Sequence, residues 1–381
     1  MKTKIFDFFI RQKELLKIFR IDKNVENIPV EIKSFEFLSS NKAYIENTEY
    51  IESDDEVFFE NNKFRYPVFV PAGKHKFNSC IILMHGLNER FWDKYLYWAE
   101  YLAISTGKPV ILFPIAFHMN RSPSSWSDPR IMRGLVEKRK SVTGENKSLC
   151  FANVALSERL SEDPNRFYNS GHQTALDLTE LVSDIKEGKH LLFESGTQVD
   201  FFSYSIGAFI SEIMFMANPY GLFSTSRIFI FCGGSIFKSM YGESRCIMDK
   251  PAYDKIFGHY CFDWLKMLDN NVSSGKLKQD SFLDAFNAMI DPGIFKSERE
   301  SFFLSLQQRI SGISLLKDKV MPYSGVEACM GSELAGKCFE VMDFPYEYSH
   351  ESPFPFNGQA DEGSLNKSFL SVFQKAAAFL I

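Results

Sequence analysis

Short, continuous apolar runs alternate along most of this chain with longer segments in which apolar residues recur at helical spacing. The runs have the length of strands and lie at residues 79–84, 109–114, 199–202, 227–232, 313–316 and 338–342. Strands that are buried on both faces have such runs, whereas helices that pack on a sheet carry one apolar face. The alternation therefore predicts right-handed strand–helix–strand units, and with them a mostly parallel α/β sheet flanked by helices.

The beginning of the chain has a different pattern. Residues 1–42 predict a helix followed by irregular structure, and we assign them to an N-terminal extension. From residue 43 the pattern becomes strand-like. The pair Asn61-Asn62 stands between the apolar runs 57–60 and 64–70, which is typical of a hairpin. This segment predicts an antiparallel edge of the sheet.

Two segments interrupt the series of strands. Residues 117–169 are polar, carry no clear periodicity and are too long for a simple connection, so they predict an insertion. Residues 235–310 carry a helical pattern without a strand and predict a helical cap. Both segments leave the carboxyl end of a strand, where open parallel sheets bind their ligands. The predicted core then comprises residues 43–234 and 311–381.

One stretch, residues 199–210, predicts a buried strand that turns directly into a helix. Ser205 stands at the turn, with Ser203 two residues before it and Gly207 two residues after it. Such a turn brings backbone segments close together and requires small flanking residues. The stretch resembles the nucleophile elbow of the α/β-hydrolases, G-x-S-x-G, with Ser203 in place of the first glycine.

Three further pieces extend the resemblance to the α/β-hydrolases. A predicted strand ends in His85-Gly86, Asp318 follows another strand four residues before a proline, and His350 lies in the loop after the last strand. The chain order Ser, Asp, His is the order of that fold. The resemblance covers roughly residues 56–381 and implies an α/β-hydrolase fold with a helical cap.

The resemblance also implies a role for each of these residues. Ser205 is expected to be the nucleophile and His350 the general base that activates it. Asp318 is expected to orient the imidazole and to stabilise its protonated form, with Asp343 as the alternative acid. The backbone N–H groups of Ile206 and Leu87 are expected to form the oxyanion hole.

Four more residues are predicted to contact the substrate. Gly86 would let the backbone approach it closely. Asn88 could supplement the oxyanion hole, with a local hydrogen bond as the alternative use of its side chain. The predicted cap carries aromatic residues on more than one helical face, and such a surplus indicates a pocket wall. We therefore expect Phe257 and Trp264 to bind an apolar acyl or alcohol group.

The implied activity is hydrolysis of a carboxylic ester, or a related acyl bond, through an acyl-enzyme. An amidase, a peptidase or a thioesterase would use the same three residues. The contrasting class is a non-catalytic protein of this fold that binds a ligand or a partner. The sequence leaves the natural substrate and the oligomeric state open.

Composition narrows the class of protein further. The net charge is −5 with both signs interspersed, so nucleic acid is not an expected partner. No apolar run approaches the roughly 18 residues of a membrane span, and we predict a soluble, cytoplasmic protein. The seven cysteines form no C-x-x-C pair and no metal-ligand spacing occurs, so we expect reduced thiols, no metal and no cofactor.

Overall fold

The computed structural model of the 381-residue chain describes residues 8–21, 29–40, 58–144, 146–273, 279–355 and 360–381. These residues are arranged around a single β-sheet. Its eight strands are β1 (Val30–Leu38), β2 (Lys63–Pro71), β3 (Phe77–Met84), β4 (Val110–Leu112), β5 (Phe193–Tyr204), β6 (Ile228–Phe231), β7 (Ile310–Leu315) and β8 (Phe339–Met342).

Helices cover both faces of this sheet. In chain order they are α1 (Phe8–Ile21), α2 (Phe59–Asn62), α3 (Leu96–Thr106), α4 (Pro129–Thr143), α5 (Val154–Glu162), α6 (Asn165–Lys186), α7 (Ile206–Ala217), α8 (Lys250–Gly258), α9 (Trp264–Ser273), α10 (Ser281–Ala288), α11 (Lys296–Leu306), α12 (Tyr323–Met330), α13 (Ser332–Cys338) and α14 (Glu362–Leu380). A π-helical turn, His259–Asp263, joins α8 to α9.

The strand order is β1-β2-β4-β3-β5-β6-β7-β8. β2 runs antiparallel to both of its neighbours, and all other neighbouring pairs are parallel. The fold predicted from the sequence, a mostly parallel α/β-hydrolase sheet flanked by helices, is therefore confirmed. The predicted antiparallel edge is present as well: the predicted run 64–70 is strand β2, but its outer partner is formed by residues 30–38.

Alternate residues of the central strands belong to two hydrophobic cores, one on each face of the sheet. In β3, Ile81 and Leu83 belong to the core under α1, α3 and α14, whereas Ile82 and Met84 belong to the core under α6 and α7. All four side chains are fully buried. Successive side chains of a strand point to opposite faces, so a strand covered on both faces must be apolar at every position. This is why the continuous runs predicted the strands correctly.

The N-terminal part of the chain differs from its prediction. The segment 30–38, assigned to an extension, is edge strand β1 and pairs with β2 along its whole length. The hairpin at Asn61-Asn62 is wrong, because residues 59–62 form the short helix α2. Asn61 is buried there and donates to Gln173 Oε1 at 2.9 Å while accepting from the N–H of Phe117 at 3.0 Å. The strand-like residues 43–57 lie outside the described residues.

The insertion is helical, which its polar pattern did not predict. Helix α4 begins with a well-formed N-terminal cap. The Asp128 side chain accepts from the N–H of Arg130 at 2.8 Å, and Pro129 is the first helical residue. Its few apolar residues, among them Met132 and Val136, pack against the start of α5. The long helix α6 begins at Asn165, which lies inside the predicted insertion.

Within the described part of residues 235–309, the elements are helices and turns, and β7 begins at Ile310. One of these helices, α10, packs on α7 in the body of the protein. Helix α8 is tied to the insertion instead. Arg139 of α4 bonds both carboxylate oxygens of Asp249, at 2.5 and 2.8 Å, and also bonds Glu158 of α5 at 2.7 Å. Arg139 and Asp249 are both buried, so a buried ion pair connects the insertion to the cap.

Candidate active site

Ser205 is the only residue between β5 and α7. Its backbone has φ 57° and ψ −128°, a conformation that L-residues adopt rarely and that turns the strand into the helix in one step. The turn lies against the end of β3. A Cβ on Gly207 would lie 2.7 Å from both the carbonyl oxygen of His85 and the Cβ of Met84. The glycine two residues after the serine is therefore required by space.

The position two residues before the serine is also tight, but it tolerates a side chain. Ser203 is fully buried, and its hydroxyl lies 2.8 Å from that of Ser211 on α7. The Ser211 hydroxyl donates to the carbonyl of Gly207 at 2.8 Å, so Ser203 is the donor to Ser211. This chain of hydrogen bonds satisfies both hydroxyls and explains why a serine can stand where the elbow pattern has glycine.

The structure brings Ser205, His350 and Asp318 together in one hydrogen-bonded row. Ser205 Oγ lies 2.6 Å from His350 Nε2, and His350 Nδ1 lies 2.7 Å from Asp318 Oδ2. All three residues are buried. The other carboxylate oxygen of Asp318 accepts from the N–H groups of Val320 and Met321, at 2.9 Å each. The carboxylate is thus fixed by its own loop and receives the Nδ1 proton of the imidazole.

Asp343, the alternative acid, lies away from this row. Its side chain is exposed and accepts from the hydroxyl of Tyr348 at 2.8 Å. The Lys317 ammonium lies 3.6 Å from the same carboxylate. Of the two acids, only Asp318 bonds His350.

Tyr204, which the sequence analysis did not single out, holds the histidine from behind. Its ring stacks on the imidazole of His350, and its hydroxyl donates to the backbone carbonyl of the same residue. Burial raises the pKa of the phenol well above its ordinary value, so it stays neutral and remains a donor. The Lys94 ammonium lies 4.5 Å from the centre of the ring on a cation–π contact.

The loop at Gly86 is fixed by its neighbours. The N–H of Gly86 donates to the hydroxyl of Tyr95 at 3.0 Å, and this hydroxyl donates to Glu89 at 3.0 Å. His85 Nε2 accepts from the N–H of Ile115 at 2.9 Å, so Nδ1 carries the proton and donates to the Gly86 carbonyl at 2.8 Å. Burial lowers the pKa of His85, which keeps this imidazole neutral. His85 supports the loop and does not face Ser205.

Packing gives a second reason for a glycine at position 86, besides the predicted close approach to a substrate. A Cβ at this position would lie 3.2 Å from the ring of Tyr204. Gly86 is not among the residues that line the cavities beside Ser205. The glycine therefore lets the loop pack on Tyr204, and the contact of Gly86 with a substrate remains a prediction.

Two apolar cavities meet beside the nucleophile. The cap cavity is lined by Ser205, Met240, Ile247, Ile256, Phe257 and Val320, among others. The insertion cavity is lined by Arg90, Ile115, His118, Trp126, Leu160 and Phe209, among others. Leu87, Phe167 and Ile206 line both. The two residues expected to form the oxyanion hole thus lie at the junction of the cavities, and their role remains a prediction.

The two predicted aromatic contacts of the cap have different surroundings. Phe257 lines the cap cavity together with Ser205. Trp264 is fully buried, donates from Nε1 to Asn287 at 2.8 Å and packs against Tyr260 and Phe286. Trp264 is a core residue, and its predicted contact with a substrate is wrong.

Asn88 serves the architecture as well. Its amide donates to the carbonyls of Ala152 in the insertion and Cys246 before the cap helices, at 2.9 and 2.8 Å. Its oxygen accepts from Arg90 at 2.9 Å. With both N–H groups and the oxygen engaged, the side chain of Asn88 makes local hydrogen bonds, the alternative given for it above, and has no donor left for an oxyanion.

The described residues contain no group of three His, Cys, Asp or Glu side chains placed to hold a metal ion. All seven cysteines are free, and four of them are buried. None of the helices that the structure describes has both the length and the apolarity needed to cross a membrane.

The whole chain, residues 1–381, matches the model of the family of unknown function DUF6051. None of the curated proteins compared with the sequence matches it. Among solved structures, the chain is similar to a vibralactone cyclase, with 9% identity, 97% of this chain and 85% of that one covered, and a TM-score of 0.46. It is also similar to a thermostable esterase from Pseudomonas putida, with 9% identity, coverage of 97% and 89%, and a TM-score of 0.45. It is also similar to a carboxyl esterase from Tuber melanosporum, with 9% identity, 97% of this chain and 96% of that one covered, and a TM-score of 0.43.

Proposed function

The chain belongs to DUF6051, a family of unknown function, and we propose from its own site that it is a serine hydrolase that cleaves a carboxylic ester through an acyl-enzyme. One observation carries the proposal. The hydroxyl of Ser205 lies 2.6 Å from His350 Nε2, on a residue whose backbone is turned out of the sheet at φ 57°. A serine hydroxyl becomes a useful nucleophile only beside such a base.

The proposed reaction uses the hydrogen-bonded row in both directions. As Ser205 Oγ bonds the substrate carbonyl carbon, its proton passes to His350 Nε2, and Asp318 stabilises the imidazolium. The charge that develops on the carbonyl oxygen is stabilised by the N–H groups of Ile206 and Leu87. His350 then gives the proton to the leaving alkoxide, and the C–O bond breaks. In the second half, water loses a proton to His350, attacks the acyl-enzyme and restores the Ser205 hydroxyl.

The surroundings of Ser205 favour an ester with apolar groups on both sides of the carbonyl. Each of the two cavities is walled mostly by aliphatic and aromatic side chains, and they meet at Leu87 and Ile206. An apolar acyl group can occupy one cavity and an apolar alcohol the other, which excludes water from the reacting carbonyl. Ester, thioester and amide substrates differ in the leaving group, so their relative rates define the activity.

The test combines covalent labelling with turnover. We expect a fluorophosphonate probe to label the wild-type protein at Ser205 and to leave Ser205→Ala unlabelled, while Ser203→Ala, a neighbouring buried serine, is labelled normally. We also expect p-nitrophenyl esters to be hydrolysed faster than the matching p-nitroanilides. A folded wild-type protein that takes up no label and hydrolyses no ester, thioester or anilide would refute the proposal in favour of a binding protein.

A further inference from the structure

The two cavities beside Ser205 differ in charge. The side chains of the cap cavity bear no formal charge, and Ser205 and Tyr253 supply its only side-chain hydroxyls. The insertion cavity is also mostly apolar, but its wall includes three arginines, Arg90, Arg159 and Arg166, and no Asp or Glu. An apolar cavity with cations and no carboxylate in its wall is suited to a ligand with an apolar body and one anionic group.

No acidic side chain among the described residues forms an ion pair with Arg90. Its guanidinium donates to Asn88 Oδ1 at 2.9 Å and to the Phe117 carbonyl at 3.5 Å, and it lies 5.2 Å from the ring centre of Trp126. These partners are neutral. Its Nε atom is shut off from water and bonds nothing among the described residues. Because a buried guanidinium without an acid is costly, an anionic partner is what this position lacks.

The pKa of Arg90 is in agreement with a charge that no acid neutralises. Burial lowers it to about 10, and the nearby charge of Arg159 acts in the same direction. No carboxylate offsets either effect. An anion bound beside the guanidinium would relieve both, and guanidinium and carboxylate match as two parallel hydrogen bonds.

A second polar atom in the same wall is also without a partner. His118 Nδ1 lies 2.9 Å from the Ala116 carbonyl and therefore carries the proton of the neutral ring. Its Nε2 atom is buried and bonds nothing in the described part of the chain. Arg90 and His118 thus line the same cavity, and each carries one buried nitrogen with no partner among the described residues, whereas buried polar groups of proteins are almost always satisfied. Of the two residues only the arginine can donate to an anion, because Nε2 of the neutral His118 ring is an acceptor.

We propose that the insertion cavity binds a carboxylate at the far end of an apolar chain, with Arg90 as its partner, so that the preferred substrates are half-esters of dicarboxylic acids. This rests on the proposed function, because the insertion cavity shares Leu87 and Ile206 with the cap cavity, which Ser205 lines. The other end of the chain is then the ester carbonyl. The alcohol occupies the uncharged cap cavity.

The test compares p-nitrophenyl half-esters of succinate, adipate, suberate and sebacate with the same esters methylated at the free carboxyl. For the best chain length we expect kcat/KM of the half-acid to exceed that of the neutral ester by about tenfold or more. Arg90→Gln should abolish this preference by lowering kcat/KM of the half-acid more than that of the neutral ester, and Arg90→Lys should keep part of it. Arg133→Gln, which removes the same charge from an exposed position of α4, is the matched control and should keep the full preference.

Binding to Ser205→Ala separates this inference from the proposed function. We expect monomethyl suberate to bind this variant more tightly than dimethyl suberate in calorimetry, with the difference lost in Ser205→Ala/Arg90→Gln. Tighter binding of the monoacid without any hydrolysis by the wild type would overturn the proposed function and keep the carboxylate site. Equal or better binding and turnover of the neutral ester, or an equal loss for both substrates in Arg90→Gln, would overturn the carboxylate site and leave the hydrolase in place.

Discussion

The ring of Tyr204 lies parallel to the imidazole of His350, with centroids 5.5 Å apart and planes inclined by 19°. The phenol also donates to the backbone carbonyl of His350, and the two residues are 146 positions apart in the chain. The residue directly before the proposed nucleophile therefore holds the proposed base. One segment of backbone fixes both partners of the proton transfer.

We expect Tyr204→Phe to lower kcat about tenfold while leaving KM nearly unchanged, because the ring remains but His350 loses its hydrogen-bonded anchor. Steady-state kinetics on a p-nitrophenyl ester measure this. Tyr348→Phe, which removes a hydroxyl bonded to Asp343 near the same loop, is the control and should retain activity. A fall in melting temperature with unchanged kcat would assign Tyr204 a purely structural role.

We expect Asp318→Asn to reduce kcat by about four orders of magnitude, because an amide facing Nδ1 favours the wrong tautomer of His350. The carbonyl oxygen of the asparagine can still accept from Val320 and Met321, so the loop should persist. Asp343→Asn is the matched control and should retain most of its activity. The opposite pattern, with only Asp343→Asn inactive, would show that the acid has been misassigned.

Ser203 and Ser211 should behave as a coupled pair. We expect Ser211→Ala to destabilise the protein by about 1 kcal/mol, since the buried Ser203 hydroxyl loses its acceptor. The double variant Ser203→Ala/Ser211→Ala should cost less than the sum of the single changes, which urea unfolding of all four proteins measures as a coupling energy. Strict additivity would mean that the hydrogen bond at 2.8 Å contributes nothing.

Phe257 and Trp264 should separate selectivity from stability. Phe257→Ala enlarges the cap cavity, and we expect it to shift the preferred chain length among esters with little change in melting temperature. Trp264→Ala empties a fully buried site and should destabilise the protein by about 3–5 kcal/mol without a specific change of substrate preference. Measuring the ester selectivity and the thermal unfolding of both variants shows which residue affects selectivity and which affects stability. A selectivity change in Trp264→Ala alone would reverse the assignment.

His118 should make the protein less stable in acid. Burial lowers its pKa to about 3, whereas an unfolded histidine has a pKa of about 6.5. Between these values the unfolded chain binds a proton that the folded protein excludes, so the free energy of unfolding falls as pH falls through that window. By pH 5 the loss from this one group is about 2 kcal/mol.

Urea unfolding at pH 7 and pH 5 tests this prediction. His118→Asn can keep the hydrogen bond to Ala116 but cannot titrate, so the difference between the two pH values should shrink by about 2 kcal/mol. His75→Asn, at an exposed histidine, should leave the difference unchanged. An unaltered difference in His118→Asn would mean that His118 takes up its proton in the folded state.

The sequence was informative where burial imposed a pattern. The central strands are covered on both faces, so they had to be continuous apolar runs, and the elbow had to carry small residues around Ser205. Strand β1 was missed because it lies at the edge, where apolar and polar residues alternate in Val30–Leu38 and no continuous run forms. Helix α4 was missed because most of its surface is polar, although Asp128-Pro129 marked its start.

The parts that could not be predicted depend on contacts between distant residues. Nothing local distinguishes Phe257, which lines a cavity, from Trp264, which is buried between helices. Ile256, Tyr260 and Trp264 form the buried stripe of the cap, and Phe257 lies beside it. The free charge of Arg90 could likewise be recognised only once its neighbours were known.

The ion pair between Arg139 and Asp249 limits which segments of this protein can be exchanged for those of another protein. The two residues belong to segments 110 positions apart, yet each is the buried counter-charge of the other. A chimaera that received a foreign cap but kept its own insertion would lose the buried Asp249 and leave Arg139 with the partly exposed Glu158 of α5 as its remaining acid, which should destabilise the protein. The insertion and the cap helix α8 therefore form a single exchangeable module, and transplanted specificity requires both.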